Sequence, residues 1–65
     1  MSTVRTFLKN RSSVTVQDFI KYIKKEPDYY SEDIDTITVI FKNSVEYNTE
    51  CLMGEAAEYF GLEEI

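Results

Sequence analysis

The sequence predicts an α+β fold in a single small domain, ordered as a short N-terminal element, a helix, a β-hairpin and a C-terminal helix. Three observations carry that expectation. Val16, Phe19, Ile20 and Ile23 follow the i, i+3, i+4, i+7 spacing of one helix face. The run TITVIFK, Thr36 to Lys42, is rich in β-branched residues and alternates Ile37, Val39 and Phe41 with Thr38, Ile40 and Lys42, as a strand does. Leu52, Ala56, Tyr59 and Phe60 return to helical spacing, and Gly61 follows them in the place of a left-handed residue after a helix end.

Taken in order, Val4 to Lys9 is short and mixed, with Val4, Thr6 and Leu8 on one side of an extended chain and Arg5, Phe7 and Lys9 on the other. It reads equally as an edge strand or a first helical turn, broken by Asn10 to Ser13. Thr15 stands in the N-cap position with Asp18 three residues on, where a carboxylate also favours the positive end of the helix. Lys21, Lys24 and Lys25 gather toward the other end, and Pro27 stops the helix near Lys25. After the strand, Asn43 and Ser44 predict a two-residue turn into a second strand over residues 45–49, making the hairpin. Asn48 or Thr49 would cap the last helix, with Glu50, Glu55 and Glu58 turned outward and Leu62 folded back on its final turn. The core expected from these periods is Phe19, Ile20, Ile23, Ile37, Val39, Phe41, Leu52, Ala56, Tyr59 and Phe60.

Charge divides the chain in two. Residues 1–25 hold six lysines and arginines against Asp18 alone, a net +5, while residues 26–65 hold Lys42 against eleven acids, a net −10. Such a split in a small fold creates a field with two ends, which steers charged partners and says nothing of reactions. The acids are densest in EPDYYSEDID, where Glu26, Asp28, Glu32, Asp33 and Asp35 supply five of ten residues. Neither period holds across that segment, so an exposed connection is expected there.

Composition bounds the function. At 65 residues the chain buries only about 60% of its unfolded surface, and its 14% aromatic content supplies the bulk of a small core. No apolar run reaches the roughly 18 residues of a membrane span, and the N-terminus lacks the apolar stretch of a signal peptide, so a cytoplasmic protein is expected. Cys51 is the single cysteine and histidine is absent, which leaves no internal disulfide, no base to activate the thiol and little prospect of a zinc site. Cys51 is read as a small core or helix-start residue. DYYSEDID lacks the glycine and distal glutamate of a calcium loop, and two isolated glycines cannot form a phosphate cradle. No enzyme activity, catalytic residue, cofactor or metal is expected.

MGEAAEYFGLEE, residues 53–64, is similar to the opening of a helix-turn-helix in excisionase-like and MerR-like DNA binders, where a helix reading roughly EAAEYLG precedes a turn and a recognition helix. Glu55 to Gly61 match that first helix and turn. Only four residues follow Gly61, so no recognition helix is expected and the stretch is read as an amphipathic helix closed by glycine.

Two functions from different classes remain. The first is an acidic protein-binding inhibitor or modulator that occupies the basic, nucleic-acid-binding surface of a host protein by DNA mimicry, in the manner of small proteins encoded by phages and other mobile elements. Its partner-binding residues would be Glu26, Asp28, Glu32, Asp33 and Asp35, with Tyr29 and Tyr30 as anchors. Glu46, Glu50, Glu55 and Glu58 would continue the row. Reversal of Asp28, Glu32 and Asp33 to lysine is expected to leave the fold intact. The alternative is a small homodimeric transcription regulator or assembly subunit using the basic half, Arg5, Lys9, Arg11, Lys21, Lys24 and Lys25. The acidic remainder would repel a duplex, so direct nucleic-acid binding is not expected. A homodimer is expected in either case, because a chain this small gains by burying more surface.

Overall fold

A capping box opens the first helix. The Thr15 hydroxyl accepts from the Asp18 backbone N–H at 3.2 Å, and the Asp18 carboxylate accepts from the Thr15 N–H at 3.0 Å, so two orphan donors are satisfied reciprocally. In this computed structural model, which describes residues 2–65, the helix is α1 (Val16–Ile23), closed by Lys24 in the left-handed region at φ 58°. Val16, Phe19, Ile20 and Ile23 are all buried, as their spacing requires. The other elements are β1 (Thr3–Leu8), β2 (Tyr29–Glu32), β3 (Thr36–Phe41), α2 (Tyr47–Phe60) and β4 (Glu63–Glu64).

The four strands form one antiparallel sheet in the order β2-β3-β1-β4. With the element order βαββαβ this is the split-βαβ, or ferredoxin-like, arrangement. Such a topology hosts many unrelated functions, so it positions a site without identifying one. Register places Phe7 opposite Ile37, Arg5 opposite Val39 and Thr3 opposite Phe41. Both helices contribute to the core on that face, where Phe7, Phe19, Ile37, Val39 and Met53 are fully enclosed. The Phe7 and Phe19 rings meet at 4.9 Å between centroids, tilted by 43°. The opposite face carries Val4, Thr6, Leu8, Thr38, Ile40 and Tyr29 in alternate positions, half-buried or exposed.

Four expectations are corrected. The short N-terminal element is neither an edge strand nor a helical turn: β1 lies inside the sheet, between β3 and β4. Residues 26–35 are not a plain connection, since β2 lies within them and pairs with β3 from Tyr29↔Ile40 to Glu32↔Ile37. The hairpin is therefore β2–β3, and residues 45–49 do not form a strand. α2 begins at Tyr47 after Glu46, which makes no side-chain cap, so neither Asn48 nor Thr49 is the N-cap.

The buried face of α2 is Met53, Ala56 and Ala57, while Leu52 and Phe60 are half-buried and Tyr59 is 71% exposed. Two small alanines let the helix backbone approach the core, and the larger side chains lie along its flanks. At the far end Gly61 adopts φ 74°. Its N–H reaches the Glu58 carbonyl at 3.2 Å and the Leu62 N–H reaches the Ala57 carbonyl at 2.7 Å, a Schellman closure that buries Leu62. Among the described residues, no helix is long and apolar enough to cross a membrane.

Candidate functional site

The β2–β3 hairpin presents the predicted partner-binding residues along one edge of the sheet. Every residue of β2 is exposed. Because side chains alternate across a strand, Tyr29 and Tyr30 face opposite ways and do not form a pair. Tyr29 lies on the open sheet face with the Lys42 ammonium 5.4 Å from its ring centre. Tyr30 lies on the helix side, where its hydroxyl accepts from the Gln17 amide at 3.0 Å.

Three of the five carboxylates are engaged in holding the fold. Asp28 accepts from the Lys42 backbone N–H at 2.7 Å and closes the open end of the hairpin. Asp33 accepts from the Thr36 hydroxyl at 3.2 Å, and its own N–H donates to the Thr36 carbonyl at 2.8 Å, which sets the turn through Ile34 and Asp35. Glu32 bridges two elements: one oxygen takes the Lys9 ammonium at 2.6 Å and the other the Val16 N–H, at the start of α1, at 3.0 Å. Those contacts, the lysine first and the backbone donor second, hold the Glu32 carboxyl below its usual range. The expectation that Asp28, Glu32 and Asp33 can be reversed without touching the fold therefore fails. Glu26, in the connection from α1, and Asp35, in the hairpin turn, are the exposed acids of this segment whose carboxylates make no hydrogen bond among the described residues.

The basic half is similarly divided. Lys9, 7% exposed, is buried beside Phe7's face of the sheet and paired with Glu32. Arg5 grips Glu64 through two guanidinium nitrogens, Nε to Oε2 at 2.8 Å and Nη2 to Oε1, and donates to the Glu50 carbonyl at 3.2 Å. That grip holds the Glu64 carboxyl low. Arg11, Lys21, Lys24 and Lys25 remain exposed. The oppositely charged halves thus meet inside one chain, through both ion pairs of the described residues.

A second constellation was missed by periodicity, which placed Tyr59 in the core. Tyr22 of α1 and Glu55, Glu58 and Tyr59 of α2 line an open notch of about 350 Å³ between the helices. Tyr22 and Tyr59 have ring centres 5.3 Å apart, and Phe60 stands nearly edge-on to both. A signal was present in Tyr22, which sits beside the apolar stripe of α1 and flanks it after folding. Cys51 is half-buried in the second turn of α2. Among the described residues, no three His, Cys, Asp or Glu converge as metal ligands. No protein-family model, curated protein or solved structure matches this chain.

Proposed function

We propose that this protein is a small acidic protein-binding module, an inhibitor or modulator that occupies a basic, nucleic-acid-binding surface of a partner by imitating DNA. One observation carries the reading. Among the described residues, Glu32 and Glu64 are the acids from Glu26 onward that ion pairs neutralise, and the others are exposed. The α2 helix carries Glu50, Glu55 and Glu58 and no lysine or arginine. Those three carboxylates span about 12 Å of helix axis at 1.5 Å per residue, whereas one DNA strand offers a phosphate about every 3.4 Å. The helix alone is too sparse to imitate a strand. Glu26 before β2, Asp35 in the hairpin turn and Glu46 before α2 supply further charge that is unpaired among the described residues.

The test is capture from a lysate of the source cell after nuclease digestion. A captured protein should be displaced by added duplex DNA, and capture should fall in the variant Glu26→Gln/Asp35→Asn/Glu46→Gln, whose side chains make no hydrogen bond among the described residues. Capture that is indifferent to both DNA and the triple variant would overturn the reading.

A further inference from the structure

We propose that the notch between α1 and α2 is an arginine-binding site, in which a partner's guanidinium lies over the exposed Tyr59 ring beside Tyr22 and is held by Glu55 and Glu58. The inference deepens the reading of a basic protein partner and rests on it for the partner's class, while the notch itself stands on separate observations. Tyr59 is 71% exposed although it belongs to an aromatic cluster, so much of its side chain stays open to solvent where a small protein would gain by covering it. Phe60, edge-on at 5.0 Å and 77°, fixes that ring, and Tyr22 at 5.3 Å supplies the neighbouring wall. The cluster is preorganised, which limits the ordering cost of binding.

The chemistry of the rim selects the occupant. Neither Glu55 nor Glu58 makes an ion pair or side-chain hydrogen bond among the described residues. Lys21, Lys24 and Lys25, on the exposed surface at the end of α1, leave both carboxylates unpaired. Glu58 also lies in the last turn of α2, which has no basic residue, so it faces the negative end of the helix dipole. A cation from outside relieves that conflict. Ring faces attract cations, and a planar guanidinium can stack on a tyrosine while its fork of N–H donors engages carboxylates, which a lysine ammonium cannot do. The notch is shallow and open, so it would engage the end of one side chain at the surface and not enclose a ligand.

The experiment titrates the intact protein with the blocked peptide Gly-Arg-Gly-Arg-Gly and its lysine counterpart, followed by amide and tyrosine-ring NMR shifts. The arginine peptide should shift resonances of Tyr22, Glu55, Glu58 and Tyr59, and bind several-fold more tightly than the lysine peptide. Tyr59→Ala and Glu55→Gln/Glu58→Gln should each weaken it about tenfold, with circular dichroism unchanged because these side chains are exposed. Glu26→Gln/Asp35→Asn/Glu46→Gln should leave it unaltered. Shifts spread over the acidic surface, or less than a roughly twofold loss in the Tyr59 variant, would overturn the notch while leaving the acidic-surface reading untouched. Notch binding of the peptide alongside lysate capture that ignores DNA would instead sink the DNA-mimic reading alone.

Discussion

Phe7→Ala should remove a large part of the stability of this domain. Phe7 is 0% exposed on β1, opposite Ile37, with its ring 4.9 Å from that of Phe19. Truncating a core phenylalanine costs about 3–5 kcal/mol. At roughly 0.05–0.15 kcal/mol per residue, a 65-residue chain has only about 3–10 kcal/mol in total. The loss is thus about a third of the total at the least and the whole of it at the most. Urea unfolding followed by far-UV circular dichroism reads this directly. With a slope of about 1 kcal/mol per molar for a protein this small, the midpoint should fall by roughly 3 M or more, or the variant should be unfolded without denaturant. Phe7→Leu and Phe19→Leu, combined in a double-mutant cycle, isolate the ring pair, which should couple by about 0.5–1.5 kcal/mol. A Phe7→Ala midpoint within about 1 M of wild type would refute the placement of β1 at the centre of the sheet.

Two further outcomes follow from the hydrogen-bonding geometry. Thr15→Ala removes the capping box of α1 and should cost about 0.5–2 kcal/mol in the same urea assay; no change would mean that the helix starts elsewhere. Acid should destabilise the fold, because the carboxyls of Asp18, held by the Thr15 backbone and hydroxyl, of Glu32, held by Lys9 and the Val16 N–H, and of Glu64, held by Arg5, all lie below their usual range. The unfolded chain then binds more protons, so this stability is fully present above the ordinary carboxyl values near about 4 and is lost as pH falls through the lowered folded values. Glu32→Gln/Glu64→Gln should flatten the urea midpoint between pH 7 and pH 3, and a slope identical to wild type would count against both ion pairs.

Local signals that depend on few residues were legible in the sequence. Thr15 with Asp18, the stripe of α1, the alternation of β3 and the closure at Gly61 all stand as their spacing predicts. The pairing of strands was not, and the reason is specific. Asn43 and Ser44 offered the expected turn residues, yet the real hairpin turns through Ile34 and Asp35, neither of which needs positive φ. That turn is held by one side-chain and one backbone hydrogen bond between Asp33 and Thr36, which composition does not reveal. β2 escaped notice because an edge strand exposed at every position has no face to bury and shows no alternation. β1 was ambiguous because Arg5 and Lys9 share its buried face with Phe7, and only their distant partners Glu64 and Glu32 make that face tolerable.

The same partners explain why the candidate site was only half visible. Charge counting treats every carboxylate of residues 26–35 alike, but folding sorts them by what lies across the sheet. Glu32 faces buried Lys9 and the start of α1, so removing it would leave an ammonium without its partner, and the loss would be one of stability. Asp28 and Asp33 close the two ends of the hairpin. A binding defect in variants at these three positions would therefore be ambiguous, whereas Glu26, Asp35 and Glu46 report on the surface alone. The exposed aromatic area follows the same logic. Tyr29 and Tyr30 read as anchors because they lie among the acids, yet the strand sends them to opposite faces, while Tyr22 and Tyr59, 37 positions apart, are brought together by α1 and α2. The pleat separates neighbours in the chain, and the packing of the helices creates the tyrosine pair that has unpaired carboxylates beside it among the described residues.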